Sequence, residues 1–526
     1  MKKALVLLLT FAMLLSLVAC SSGEEATAPA DPSVEAAPEA AVESEGSDTL
    51  VVGLTGEPSG LDMCQFQDGV SAMVYCQLYD TLVYFNYETM ELEPCLAKSW
   101  EQIDDKTIRF TLRDDVYFHN GEQLKASDVI YTLQRGKVLP AKQFIWGPFD
   151  EVNSKVVDDF TVDICSYEPF APMLTYLSDN GAYIVSEKGV EDQGLEAFNR
   201  NPVGTGAFKF NEWVPGEYVM LERNDQYWNG TPYYKYMKFV FMADSTARTL
   251  ALQTGDIDVC PDPIMTSLAD LENAGFNVAT CNDMISTNIV FNTQHPILSN
   301  KLVRKAMQYA LDIPAIGDVA FSGTGRVADS FFPYYIPGRT DATGDLVYTY
   351  DVEKAKALMA EAGYPDGFTI KVWTNENQNR IAICEMIQNA WAQIGITAEV
   401  TVMEHAAMIA LYSNGEHEIV VNGFSAGAPD GDFVHDNFYS TVEWGTNYTG
   451  YRNPEWDKLM DDARTLTGDP AGREALYAQA IDILREDLPT ISVRYSEVQI
   501  AYRGDLTGVT AHPNKIPRYW WVEPAA

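Results

Sequence analysis

Thr49 to Leu54 alternates apolar and polar positions and stops at Gly56-Glu57-Pro58, which predicts a strand followed by a turn. From Val70 to Leu82 apolar residues recur at helical spacing. After Glu93-Pro94 the period returns to two: Thr107 to Leu112 predicts a strand, and Val116 to Gly121 a hairpin with Asn120-Gly121 as its turn signal. A helix is expected to begin at Ser127, whose hydroxyl would cap the turn Asp128 to Tyr131. Phe208 to Phe241 is rich in Tyr, Trp, Val and Phe and is broken by Pro215-Gly216, Asn229-Gly230 and Pro232, so it predicts antiparallel strands. The first half of the chain reads as α+β.

Beyond residue 300 the pattern changes. Leu302 to Leu311 predicts a helix, and Asp351 caps another that runs through Ala362 and ends at Gly363, with Pro365 beyond. There follow a strand Phe368 to Trp373, a helix Ile381 to Ile394 closed by Gly395, a strand Thr397 to Val402, a helix Ala406 to Tyr412 and a strand Glu418 to Val421. This β-α-β-α-β run builds a parallel or mixed sheet with right-handed crossovers, and open sheets of that kind bind ligands outside the carboxyl ends of their strands. The loops Thr374 to Asn379, Glu404-His405 and Gly423 to Asp436 therefore carry the candidate site.

The chain has 526 residues, enough for about three domains. With 46% hydrophobic and 12% aromatic residues it has ample material for folded cores. Lys plus Arg number 36 against 75 Asp plus Glu, and a net charge of −39 repels polyphosphate, which excludes a nucleic-acid partner. No apolar run of about 18 residues follows the N-terminal segment, so a multi-span channel is excluded as well.

That N-terminal segment has its own meaning. Met1-Lys2-Lys3 precedes an almost wholly apolar run, Ala4 to Ala19, the layout of an export signal too short to span a bilayer comfortably. Leu17-Val18-Ala19-Cys20 resembles the bacterial lipobox, which makes Cys20 the predicted site of lipidation and the mature N-terminus. From Ser21 to Asp48 stand eight acidic residues, three Pro and no basic or aromatic residue. Such a stretch cannot bury a core and reads as a disordered tether with an average reach of about 30 Å. The expected location is the outer face of a cell membrane, held there by lipid.

Seven further cysteines (Cys64, Cys76, Cys95, Cys165, Cys260, Cys281 and Cys384) have irregular spacing and no C-x-x-C, which signals neither a zinc site nor a redox pair. Small buried hydrophobes is the reading for most of them, and a single disulfide, Cys64 with Cys76 or Cys260 with Cys281, stays open.

Gly423-Phe424-Ser425-Ala426-Gly427 fits G-x-S-x-G, but a nucleophile elbow needs a helix directly after the Ser. Ala428-Pro429-Asp430-Gly431-Asp432 stands there instead, so the loop reading is preferred over a serine hydrolase using Ser425 with His435 or His512 as base. The six histidines form no zinc motif, and Asp430, Asp432, His435 and Asp436 match no calcium loop. Neither a Walker A nor a Rossmann fingerprint is present. No catalytic residue, metal or cofactor is predicted, and nucleotide hydrolysis, if the protein needs it, belongs to a partner.

The body after residue 49 resembles the extracellular solute-binding proteins of the peptide and nickel class, family 5, which serve ABC importers. The most specific segment is Ala97 to Gly121, AKSWEQIDDKTIRFTLRDDVYFHNG. Leu78 to Leu82, GTGAFKF from Gly204, ERNDQYW from Glu222, ALQTGDIDV from Ala251, KAMQYALD from Lys305, and Asn447 with Gly450 to Pro454 and Asp457 agree with it. The resemblance implies an α/β, two-lobed periplasmic-binding-protein-like fold of type II with the extra subdomain of the peptide-binding class, its mixed sheets joined by a hinge. It implies a first lobe from 49–92, 203–292 and 498–526, an extra subdomain of that lobe at 93–202 and a second lobe at 293–497. It also implies a monomer that captures a peptide or similar small polar solute and delivers it to an ABC permease. A ligand outside the peptide class, such as a sugar or metal chelate, is the alternative on the same fold.

Two positions depart from the family. Peptide-binding relatives carry an Asp shortly after the aromatic of the ligand loop, to pair with the peptide's ammonium, and Gly427 stands at that position. Dipeptide binders use an Arg soon after the strand that ends here at Trp373, where this chain has Thr374-Asn375, its nearest Arg being Arg380. Asp430 or Asp432 and Arg380 are the candidate replacements. The expected wall residues are Trp373, Asn375, Phe424, Ser425, Asp430, Asp432, Trp444, Asn447 and Tyr448. If the loop lines the site, Asp430→Ala or Asp432→Ala should weaken ligand binding with little change in stability.

Overall fold

The computed structural model describes residues 48–66, 68–139, 142–336, 348–442 and 444–526. The expected signal segment, Cys20 and the tether through Ser47 lie outside the described residues. Among the described residues no helix is long and apolar enough to cross a membrane.

The alternating stretch at the start of the body forms β1 (Thr49–Leu54), with Leu50 and Val52 fully buried. The aromatic-rich segment folds as expected into antiparallel β2 (Phe208–Val214), β3 (Tyr218–Arg223) and β4 (Tyr236–Phe241). Then come β5 (Val259–Pro261) and β6 (Asn277–Phe291). The second half supplies β7 (Phe368–Asn375), β8 (Ile396–Met403), β9 (Ile419–Ser425) and the long β10 (Thr490–Tyr502). All ten lie in one sheet in the order β8-β7-β9-β6-β10-β5-β1-β4-β3-β2, with the short strand Arg326–Val327 added on β10.

β6 and β10 carry the architecture. They pair antiparallel along their length, and one end of β10 bonds β5 while the far half of β6 bonds β9. Their register breaks between Asn282 and Ser286 and again between Thr287 and Asn288. Bulges bend and twist strands, and these fall where the sheet passes from one core to another. On one side Leu50, Val52, Phe239 and Trp520 share a core; on the other Ile289, Val372, Trp391 and Ile419 share a second. A separate antiparallel sheet, Ala97–Asp104, Thr107–Leu112, Thr161–Ser166 and Phe149–Asp158 in that order, encloses a third core around Phe110 and Trp146.

The second half matches its sequence reading closely. β7 lies parallel to both β8 and β9, joined through α1 (Gln378–Ala392) and α2 (His405–Tyr412). Asp351 caps Val352–Glu361 by accepting from the Lys354 amide, and Gly363 follows at φ 89°, the left-handed conformation glycine adopts without cost. Pro454 and Pro470 each stand in the first turn of α3 (Pro454–Thr465) and α4 (Pro470–Asp487).

Two expectations in the first half need correction. The helix predicted over Val70 to Leu82 is only Gly69–Tyr75. The Gln77 and Leu78 carbonyls accept from the amides of Phe208 and Gly206, so tertiary bonds take the chain out of the helix. A Cβ on Gly206 would lie 2.5 Å from the Gln77 carbonyl oxygen, which accounts for a glycine in the GTGAFKF segment. Ser127 does not cap its helix: Ala126–Val138 starts one residue earlier, with Lys125 at the cap and the Asp128 carboxylate accepting the Lys125 amide at 3.0 Å. The hairpin expected at Asn120-Gly121 forms: Tyr117 bridges Gln123 antiparallel, the Gly121 amide closes the turn on the Phe118 carbonyl, and His119 bonds the Gly206 carbonyl at 3.0 Å. Its role there is structural.

Candidate functional site

The carboxyl ends of β7 and β9 open on the loops singled out from sequence. Asn375 closes β7 and is 7% exposed; its amide meets His405 Nδ1 at 2.9 Å, and its oxygen accepts from Arg380 at 3.3 Å. Asn377 caps α1, and Glu404 caps α2 through two amides. Arg380 is half-buried and has no carboxylate within 4 Å among the described residues. Its guanidinium fills the space that a side chain on Gly423 would need: a Cβ there would lie 2.6 Å from Nη2. Burial lowers its proton affinity, and it repels Lys515, itself held by Asp283 at 3.4 Å.

The aromatic candidates divide. Trp373 and Tyr448 pack with Met408, Tyr412 and Val420, the Tyr412 and Tyr448 rings meeting edge-on at 4.6 Å. Phe424 lies 4.6 Å from Phe331 and faces open space beside Tyr448. Trp444 packs on Gly415, Gly450 and His417. Asn447 is buried, its amide donating to the Tyr439 and Tyr451 carbonyls and its oxygen accepting from Thr449, so it holds its own loop. Ser425, the last residue of β9, is exposed, and its hydroxyl donates to the Ala426 carbonyl at 3.5 Å. No helix follows it directly; a short 3-10 turn, Gly431–Val434, comes after the loop.

The two loop aspartates are fully engaged within the protein. Asp430 accepts from Arg473 at 2.8 Å and from the Tyr477 hydroxyl at 2.9 Å, both on α4. Asp432 takes both arms of Arg464 on α3 at 2.6 and 3.1 Å. It also accepts the Tyr176 hydroxyl at 2.7 Å, from the side of the cleft that carries the subdomain core. Tyr176 and Phe433 stack 4.7 Å apart across the same boundary, and the Ala171 amide bonds the Arg464 carbonyl at 2.8 Å. The two sides are shut on each other. Between them a cavity of about 600 Å³ is walled by Phe144, Phe170, Tyr176, Phe424, Phe433 and Tyr448, within the range of small-molecule sites.

Sequence reasoning missed Tyr176, Phe433, Arg464, Arg473 and Asp179. Asp179-Asn180-Gly181 reads as a bare turn, and nothing local marks it. In the fold Asp179 is 8% exposed and faces Gly427. The open disulfide question has an answer: all seven cysteines are free thiols.

The family model for bacterial extracellular solute-binding proteins, family 5 Middle, matches residues 91–446. The dipeptide-binding protein of Escherichia coli (strain K12) is 30% identical over 503 residues, covering 88% of this chain and 92% of the relative. Heme-binding protein A of Haemophilus influenzae is 31% identical over 498 residues, covering 86% and 88%. The structure of HbpA2 from Haemophilus parasuis superposes with a TM-score of 0.82 at 28% identity, covering 91% of this chain and all of that one (100%). The chain belongs to the family 5 bacterial extracellular solute-binding proteins, and its fold is the two-lobed α/β fold of the peptide-binding class.

Proposed function

We propose that the protein is a lipid-anchored extracellular receptor that captures a peptide, or a similar small solute bearing a carboxylate, between its lobes and delivers it to an ABC import permease. In this reading Cys20 carries the lipid, the acidic tether holds the body clear of the headgroups, and the protein works as a monomer without catalysis. The observation that carries the reading is Arg380: a half-buried guanidinium at the carboxyl ends of the strands, with Lys515 near and, among the described residues, no carboxylate against it. A ligand carboxylate would complete Arg380, and a charge-assisted, bidentate bond is the strong form of such contacts. The aromatic cavity alongside suits a large apolar side chain. The relatives fit both parts of this reading, one being named for dipeptides and another for heme.

Arg380→Gln tests it. Affinity for peptides with a free C-terminal carboxylate should fall about tenfold or more, the worth of a hydrogen bond between charged groups, while amidated peptides should bind wild type and variant alike. Equal loss for both peptides, or none for either, would remove Arg380 from the site.

A further inference from the structure

The second loop of interest, Gly427 to Pro429, closes over a small polar pocket of about 20 Å³. The opposite wall comes from the first lobe: Asp179, Asn180, Tyr87, His512 and Arg518. Asp179 Oδ1 accepts the Gly181 amide at 2.6 Å. Its other oxygen, Oδ2, has no hydrogen-bond partner among the described residues and lies 3.5 Å from the point that a Cβ on Gly427 would occupy. Among the described residues no cation pairs with it within 4 Å, and Lys142 acts on it from a longer distance. The carboxylate is 8% exposed, and its second oxygen is left free to take a donor in the pocket it lines. The space in front of it has the size of one water molecule, which is also about the size of an ammonium head.

We infer that Asp179 is the cation seat of this cleft: it takes a primary ammonium, such as a peptide's N-terminal amine, at the place that Gly427 leaves empty. The inference rests on the reading of the ligand as a peptide and adds a polarity to it. The first lobe grips the ammonium through Asp179, and the second lobe grips the carboxylate through Arg380, so both ends of the ligand are satisfied only when the lobes are shut. Gly427 is then part of the same device. A Cβ there would lie 2.9 Å from the Phe433 ring edge and 3.5 Å from Asp179 Oδ2, so a carboxylate at 427 would reach the same seat once the ring gives way.

The test uses Ala-Phe-Ala with a free amine and the same peptide N-acetylated, titrated calorimetrically into wild type, Asp179→Asn and the double variant Asp179→Asn with Gly427→Asp. Asparagine keeps the Oδ1 acceptor for Gly181, so the turn should survive. Wild type should prefer the free amine by at least tenfold. Asp179→Asn should abolish that preference by losing free-amine affinity alone, and the double variant, which returns a carboxylate from the other side, should regain it. Equal binding of the free-amine peptide by wild type and Asp179→Asn, or equal loss of both peptides, overturns the assignment while leaving the peptide reading intact. Failure of wild type to bind either form, or a mixture of other tri- and tetrapeptides, overturns the peptide reading and this inference with it.

Discussion

Tyr176 donates its hydroxyl to Asp432 at 2.7 Å, joining residues 256 positions apart across the mouth of the cleft. Asp432 would hold its place without it, since both arms of Arg464 already grip the carboxylate. The hydroxyl therefore contributes to closure rather than to either lobe alone. Tyr176→Phe keeps the stack on Phe433 and removes only the bond. Bonds to charged groups contribute about 1.5–3 kcal/mol, so ligand should leave at least about tenfold faster with the melting temperature nearly unchanged. Stopped-flow dissociation measures this, and an unaltered off-rate would show that the bond does not hold the cleft shut.

The ion pairs reverse the expectation drawn from sequence for Asp430 and Asp432. Truncating either leaves a buried or half-buried guanidinium, Arg473 or Arg464, without its carboxylate. Removing one partner of a buried pair costs about 3–5 kcal/mol. Asp430→Ala and Asp432→Ala should each lose stability by roughly that amount in urea titrations, whatever happens to affinity. Unchanged stability would mean that these carboxylates are spare for a ligand.

Burial sets two pH dependences of opposite sign. Asp179 is raised to about 6, chiefly by burial and against the pull of Lys142. Its folded form holds a proton that the unfolded chain releases near pH 3.9, so stability falls as pH rises from about 4 to about 6 and stays lower above. Asp179→Asn should therefore be more stable than wild type at pH 7, with the gap closing below pH 4. His417, 2% exposed beside Tyr412 and Trp444, is lowered to about 4 by burial. There the unfolded chain takes up the proton first, so stability is present above pH 6.5 and is lost as pH falls toward 4. His417→Phe should flatten that loss. Thermal melts from pH 3.5 to 7.5 check both, and identical slopes for variant and parent would contradict either account.

Burial also governs the thiols. Cys64, Cys76 and Cys95 are pushed up to about 12 by desolvation, and only Cys165 and Cys281 are part-exposed. Because the thiolate is the reactive form, the native protein at pH 8 should react with Ellman's reagent at Cys165 first, and the body should release seven thiols only after unfolding. Fewer than seven in denaturant would reveal a disulfide.

The sequence was legible wherever structure is set locally. The run from Phe368 to Ser425 could be read almost element by element, because Asn377 and Glu404 cap, Gly395 breaks and apolar periods alternate within short windows. The failures share one cause. Gln77 and Leu78 leave their helix because their carbonyls bond residues 128 to 131 positions later, and Asp430 is tied to Arg473 on another helix. The candidate loops were found from topology, and Phe424, Asp432 and Tyr448 do wall the cavity. Which of their charges is already neutralised depends on partners that no window contains. Asp179 shows this most plainly: its sequence signals a turn, and its chemistry comes from facing a glycine 248 positions away.

The most direct measurement is native mass spectrometry of the protein purified without unfolding, followed by fragmentation of whatever remains bound. The account predicts a bound mass series that fragments as peptides with free amino and carboxyl ends, lost together in the Asp179→Asn, Arg380→Gln double variant. A single non-peptide mass, or an empty protein that peptide mixtures leave unmoved, would contradict it and place the ligand outside the peptide class.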